Sequence, residues 1–231
     1  MIKLFLLFSL LSLAHSIVFD DDSCESSHSH SHEHGHGGGH HHGGGRPPRP
    51  PPGPRGCSNG YTKFTRPSGD WCMRVFGTNG GPITEPAAQA ECRKTGAVVS
   101  GLMNAAEVDW AHGQALPLIQ KMGKQAGALW IALKRKPACD TGDQSWRKKA
   151  VCKPRKTNSF YWTDQSTTGW GGVTWMNYAP DNRRGDQDCA YMLVDSSRPK
   201  YWKKVDDYSC TKDYAPSDLW RPMTYVCGKR L

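Results

Sequence analysis

Eight cysteines spread from Cys57 to Cys227 constrain this chain more than any other feature. They fit an oxidising compartment, where disulfides form and persist, and bridges of this kind let a small domain keep long irregular loops. Spacing alone does not fix the connectivity, since eight cysteines allow on the order of a hundred pairings. A ninth, Cys24, stands apart in the N-terminal region, either unpaired or free to link two chains. Between Trp175 and Cys210 a polar loop rich in Asp, Asn and Gly leads into the apolar run Cys189 to Val194 and then to Asp206 and Asp207. Cysteines bounding this segment would hold its two acidic clusters close together. Clustered oxygens on a stapled loop are what a hard cation such as calcium takes, because it needs about six to eight oxygen ligands.

The residues ahead of Cys57 do not look foldable. Met1 to Ser16 has one early charge at Lys3, an apolar core from Leu4 to Leu13 and the small residues Ala14 and Ser16. That is the pattern of a secretory signal, too short for a membrane span. Residues 17–56 pass through Asp20-Asp21-Asp22, eight histidines between His28 and His42, and a proline run from Arg46 to Arg55. With almost no large apolar side chain after Phe19, this tail cannot offset its ordering entropy and is expected to be disordered. Its imidazoles suit zinc or copper when neutral, but no ordered scaffold fixes a geometry, so a hydrophilic spacer is the simpler reading. No later stretch reaches the roughly 20 apolar residues of a transmembrane helix. The expectation is a secreted, extracellular protein with a signal peptide at 1–16, a His/Gly/Pro-rich tail at 17–56 and one domain at 57–231.

Within the domain, caps and periodicity mark short elements. Gly60 to Phe64 and Met73 to Phe76 read as paired strands. Thr84 caps a helix with Pro86 in its first turn, Cys92 near its end and Gly96 beyond it. Ala97 to Leu102 is a short strand. Asn104 caps a second helix with Glu107 placed as in a capping box; Val108, Ala111 and Ala115 keep helical spacing, and Pro117 is expected to break or restart it. Ala128 to Leu133 is short and apolar enough for a buried strand, Phe160 to Thr163 alternates like an exposed one, and Cys189 to Val194 and Met223 to Cys227 supply two more. Between them, residues 134–159 form a basic insert with nine Lys and Arg against two Asp. Of the nine tryptophans, Trp130, Trp162 and Trp175 are expected in the core and Trp146, inside the insert, on the surface. Trp170, Trp175 and Trp202 lie nearest the acidic loop.

Taken in order, these residues resemble the C-type lectin-like domain. Cys92 is similar to the family's first helix cysteine, Trp130-Ile131-Ala132-Leu133 to its W-I-G-L strand, and Ala179-Pro180-Asp181 to its E-P-N or Q-P-D tripeptide. Gln187-Asp188-Cys189 is similar to E-D-C, Val205-Asp206-Asp207 to W-N-D, and Cys227 to the final cysteine. The resemblance implies an α+β fold, two helices flanking two small antiparallel sheets, disulfide-stapled, with a long ligand-binding loop. It implies the pairs Cys57–Cys72, Cys92–Cys227 and Cys189–Cys210, which leaves Cys139 and Cys152 for each other, and a cis peptide before Pro180. It also places a calcium and sugar site at Ala179, Asp181, Gln187, Asp206 and Asp207. Only Asp207 is unchanged: Ala179 offers no oxygen, Gln187 a neutral carbonyl, and Asp181 and Asp206 carry carboxylates in place of amides. A carboxylate accepts where an amide also donates, so the donor pattern that selects among sugar hydroxyls is altered. Asp181, Gln187, Asp206 and Asp207 are therefore the candidate calcium and sugar ligands, with calcium dependence weakened or altered.

Charge adds another reading. The chain carries a formal +9, and from Cys57 onward 26 Lys and Arg face 16 Asp and Glu, a balance of +10. Such a domain favours acidic partners, and Lys134, Arg135, Lys136, Arg147, Lys148, Lys149, Lys153, Arg155 and Lys156 are the candidate anionic-ligand patch. The chain thus reads as a non-enzymatic protein that recognises carbohydrate or glycoconjugate, with innate immunity as one setting. The alternatives are calcium-independent binding of anionic glycans or microbial surfaces through the insert, and a structural extracellular protein dimerised through Cys24. His112 is expected to be a partly exposed helix residue, not a general base, and no G-x-S-x-G, H-E-x-x-H or phosphate-cradling glycine loop is present. No motif that reads nucleic acid accompanies the basic residues.

Overall fold

A computed structural model of the chain describes residues 56–57, 60–140, 142–214 and 219–231. The expected signal segment, Cys24 and the clustered histidines lie outside the described residues. In chain order the elements are β1 (Thr62–Arg66), β2 (Gly69–Gly77), α1 (Glu85–Arg93), β3 (Val98–Val99), α2 (Ala105–Lys121), β4 (Ala126–Arg135), α3 (Arg155–Asn158), β5 (Phe160–Trp162), β6 (Thr174–Trp175), β7 (Cys189–Asp195), β8 (Lys204–Tyr208) and β9 (Pro222–Arg230).

The two long helices start where side-chain caps place them. The Thr84 side chain accepts from the Ala87 N–H, and Pro86 sits in the first turn of α1. Asn104 accepts from the Glu107 N–H at 3.0 Å, while the Glu107 carboxylate turns back to the Met103 N–H at 2.7 Å and grips buried Arg66 through both oxygens, at 2.9 and 2.7 Å. Arg66 also donates to Ser166, Thr167 and the Gly101 carbonyl. One guanidinium thereby ties β1, the start of α2 and the chain beyond β5, with its donors matched as burial of a cation requires. Contrary to expectation, Pro117 lies inside α2 and does not break it. Pro117 and Gly113 are both exposed, so the Gly113 carbonyl, deprived of a helical N–H, faces water.

β4 is the centre of the sheet and explains its own composition. Leu129, Ile131 and Leu133 pack with Val108, Ala111, Ala115 and Ile119 of α2, while Ala128, Trp130 and Ala132 pack with Ala88 and Cys92 of α1. Both faces are covered, so the strand reads as an unbroken apolar run instead of alternating. The strands form one sheet in the order β1-β2-β9-β4-β7-β8-β6, with β3 beside β9 and β5 beside β4. This corrects the expectation of two separate sheets. The join is the parallel pairing of β4 with β9, Leu129 opposite Thr224 and Trp130 opposite Tyr225, a contact between distant segments that periodicity does not report.

Four disulfides, Cys57–Cys72, Cys92–Cys227, Cys139–Cys152 and Cys189–Cys210, have the pairing the family resemblance implied. Trp130 and Trp175 are buried as expected, and Trp162 is half-buried against the same core. Trp146 is the correction: it is fully buried, packed on the Cys139–Cys152 bridge. His112 is also buried, with its ring 6.0 Å from that of Trp202. Among the described residues no helix is long and apolar enough to cross a membrane.

Candidate functional site

The acidic pair lies on β8, where alternation sends successive side chains to opposite faces. Lys204 and Asp206 face outward, and Val205 and Asp207 inward. The Asp207 side chain is completely buried. Its Oδ2 accepts from Arg135 Nη2 at 2.6 Å and from the Asn182 N–H at 2.7 Å, and its Oδ1 accepts from the Asp181 N–H at 2.8 Å.

Arg135, at the end of β4, reaches this point through the interior. Its Nε and Nη2 donate to the Gln187 carbonyl at 3.2 and 2.9 Å. The guanidinium lies 4.6 Å from the centroid of Trp146 and 4.7 Å from that of Phe160. Burial pushes the Asp207 carboxyl up and the Arg135 guanidinium down. The short contact between them, with two N–H donors on the carboxylate and two aromatic rings against the cation, favours the charged form of each.

The same knot folds the loop ahead of β7. Gln187 Nε2 donates to the Asp207 carbonyl at 2.9 Å, its Oε1 accepts from the Arg183 N–H at 2.6 Å, and its own N–H donates to Asn182 Oδ1 at 2.9 Å. The Ala179–Pro180 peptide is cis. The insert braces this loop from outside: Gln144 donates to the Asn182 carbonyl at 3.0 Å and Arg147 to the Asp181 carbonyl at 2.8 Å.

These contacts do not fit a calcium cage. Both oxygens of Asp207 are held by donors, the Gln187 side-chain carbonyl is held by Arg183, and a guanidinium already lies against Asp207 where a cation would be needed. Asp181, Gln187 and Asp206 border open space, but the Gln187 side-chain oxygen is taken by the Arg183 N–H, and Asp181 Oδ1 accepts from the same N–H at 2.9 Å. Among the described residues no group of three or more His, Cys, Asp or Glu side chains is placed to hold a metal ion. The candidate ligands Asp181, Gln187, Asp206 and Asp207 are therefore brought together as a loop clamp and not as a metal centre.

That open space is a cavity of about 450 Å³, lined among others by Tyr178, Asp181, Arg183, Asp206, Tyr214 and Trp220. Its aromatic wall continues the core outward: Tyr191 and Tyr208 are 4.9 Å apart, as are Tyr208 and Tyr214, and the Arg184 guanidinium lies 3.7 Å from the Tyr214 centroid. The Tyr214 hydroxyl donates to Asp186. Burial, then the charges of Asp207 and Asp181, push the Asp206 carboxyl up to about 8. At neutral pH it is mostly the neutral acid, able to donate as well as accept.

The nine basic residues of the insert do not form one surface. Arg135 is interior, a correction that follows from its inward position on β4. Lys134 pairs with Glu85 at 2.9 Å, and Lys149 donates to the Ala138 carbonyl at 2.9 Å. Lys148, Lys153 and Lys156 stay exposed. The residues missed by sequence reading, Tyr178, Arg183 and Tyr214, are ordinary polar-loop residues whose role follows only from where the clamp holds the loop.

A family model described as C-type lectin domain-containing protein 141/158 matches residues 62–230. No curated protein matches the sequence. Among solved structures, human lithostathine is 16% identical, covering 76% of this chain and 100% of its own at a TM-score of 0.44. A calcium-independent type II antifreeze protein is 19% identical over 75% of this chain and 94% of its own, with a TM-score of 0.45. The carbohydrate-recognition domain of the mouse scavenger receptor C-type lectin is 16% identical over 75% and 96%, with a TM-score of 0.43.

Proposed function

The chain belongs to the C-type lectin domain family, and from that premise we propose that it is an extracellular recognition protein that binds carbohydrate without calcium, in the cavity beside Asp206. The observation that carries this reading is the Arg135 guanidinium on Asp207. A cation built into the chain lies on Asp207, where the resemblance places calcium, and helps to hold the loop. The cavity supplies what a sugar needs in its place: Tyr178 and Tyr214 rings for its apolar face, the neutral acid of Asp206 and the carboxylate of Asp181 for its hydroxyls, and Arg183 as a further donor. Four disulfides support an oxidising, extracellular setting.

A glycan array read in calcium and in chelator tests this. Equal signal in both, lost in the Tyr178→Ala/Asp206→Ala variant, is the expected result. Signal that disappears with chelator would overturn calcium independence, and no bound glycan in either condition would overturn the carbohydrate reading. A second reading, attachment to anionic surfaces through the insert, is favoured by the exposure of Lys148, Lys153 and Lys156. It requires binding that fades at high salt, since screening cuts electrostatic reach to about 3 Å at 1 M.

A further inference from the structure

A second cavity, of about 430 Å³, adjoins the first and is lined by Met176, Asn177, Tyr178, Lys200, Tyr201 and Lys204. Met176 and Tyr178 line both cavities, so the Tyr178 ring, 80% exposed, stands between them. The walls also touch at a second point, where Tyr201 of the second cavity packs edge-on against Trp220 of the first at 4.7 Å. The two differ in how charge is balanced. The first sets Arg183 and Arg184 against Asp181 and Asp206, whereas the second has two ammonium groups and no carboxylate in its lining.

Their arrangement follows from the strand. Lys204 and Asp206 share the outward face of β8, about 7 Å apart along it, with Lys204 in one cavity and Asp206 in the other. Lys200 comes from the short turn Pro199–Tyr201 and lies 4.8 Å from the Tyr201 ring. Among the described residues neither Lys200 nor Lys204 forms an ion pair, while their neighbour Lys203 is engaged with Asp109 at 2.7 Å. Two uncompensated cations in a concave, aromatic-walled space are an anion site, and the exposed ring leading into the sugar cavity indicates what carries the anion.

We propose that this second cavity is an anion subsite of the same binding site, taking the sulfate or carboxylate group of an acidic oligosaccharide whose neighbouring ring packs on Tyr178. The inference rests on the reading of the first cavity as a sugar site and names its ligand class. It also separates acidic-glycan recognition from the basic insert, whose exposed lysines lie in another part of the chain.

The test uses the full chain on an array of matched oligosaccharides, each neutral member paired with its sulfated and its uronic-acid counterpart. Three proteins are compared: the unaltered chain, Lys200→Gln/Lys204→Gln, and the insert control Lys148→Gln/Lys153→Gln. The unaltered chain is expected to hold the acidic member of a pair about tenfold more tightly than the neutral one. In the Lys200→Gln/Lys204→Gln variant that ratio falls to about one with neutral binding unchanged, which also shows the variant to be folded; in the insert control the ratio persists. Whether the sulfated or the uronic pairs show the ratio identifies the anion. Equal binding of neutral and acidic members, or a preference lost in the insert control and kept in the cavity variant, overturns the subsite and leaves the sugar site standing. Absence of any bound saccharide removes both.

Discussion

Arg135 and Asp207 form a buried pair, with the half-buried Asp188 carboxylate a second and longer contact at 3.2 Å from Arg135 Nε. Removing one partner of such a pair costs about 3–5 kcal/mol because the other is left charged in the interior. Arg135→Met and Asp207→Asn are each expected to lower the unfolding free energy on that scale, and the double variant to cost clearly less than their sum in urea titrations. Additive losses would mean the two do not act together. His112 is a second buried polar residue, and its Nε2 has no hydrogen-bond partner among the described residues. Burial, then the Lys203 charge, holds its pKa below the usual histidine range. The unfolded chain therefore takes up the proton first as pH falls below about 6.5, and the stability this histidine contributes above that value is lost through its folded titration. Between pH 7 and 5 the urea midpoint should drop further for the unaltered chain than for His112→Gln; parallel curves would count against the assignment. The caps Thr84 and Asn104 were legible in the sequence because their chemistry is local. Arg135 was hidden inside Lys134-Arg135-Lys136, which reads as a solvated basic run, although the period of two from Leu133 already pointed its side chain inward.

At the scale of elements, the basic insert is a structural part of the site. Its short turns put Trp146 under Arg135, and Gln144 and Arg147 against the loop. The Cys139–Cys152 bridge closes a short segment of sequence separation 13, a constraint worth about 3 kcal/mol by loop entropy. Cys139→Ala/Cys152→Ala should speed amide exchange across residues 142–158 and also across 181–188, because the insert braces the second segment. Faster exchange confined to the insert would show that the brace is not needed. The strands of β4 and β7 were readable from their apolar runs, but β8 was not. Its sequence Lys-Val-Asp-Asp-Tyr places a carboxylate at an inward position, so the alternation that marks a half-buried strand is spoiled by the very residue that Arg135 neutralises. Pro117 misled for the opposite reason, a strong local breaker tolerated because the carbonyl it orphans is on the wet face of α2.

For the whole molecule, the clearest consequence concerns divalent ions. A ligand that binds only the folded state raises the melting temperature with its concentration. Melting curves in excess calcium and in chelator are expected to coincide, and a rise of several degrees in calcium would sink the metal-free reading of the loop. Ordered tripeptides and cysteines were enough to place the chain in its fold family, because they record which segments meet. They did not show the single continuous sheet or the cavities, which depend on pairings and tilts that no short motif encodes. The guanidinium at Asp207 has one more implication. A loop ordered by a dissolved ion is set by that ion's supply and can be emptied by dilution or by uptake into a depleted vesicle. A loop ordered by an arginine is occupied from the moment the chain folds, so this loop would keep its shape whatever the ion content of the surrounding fluid.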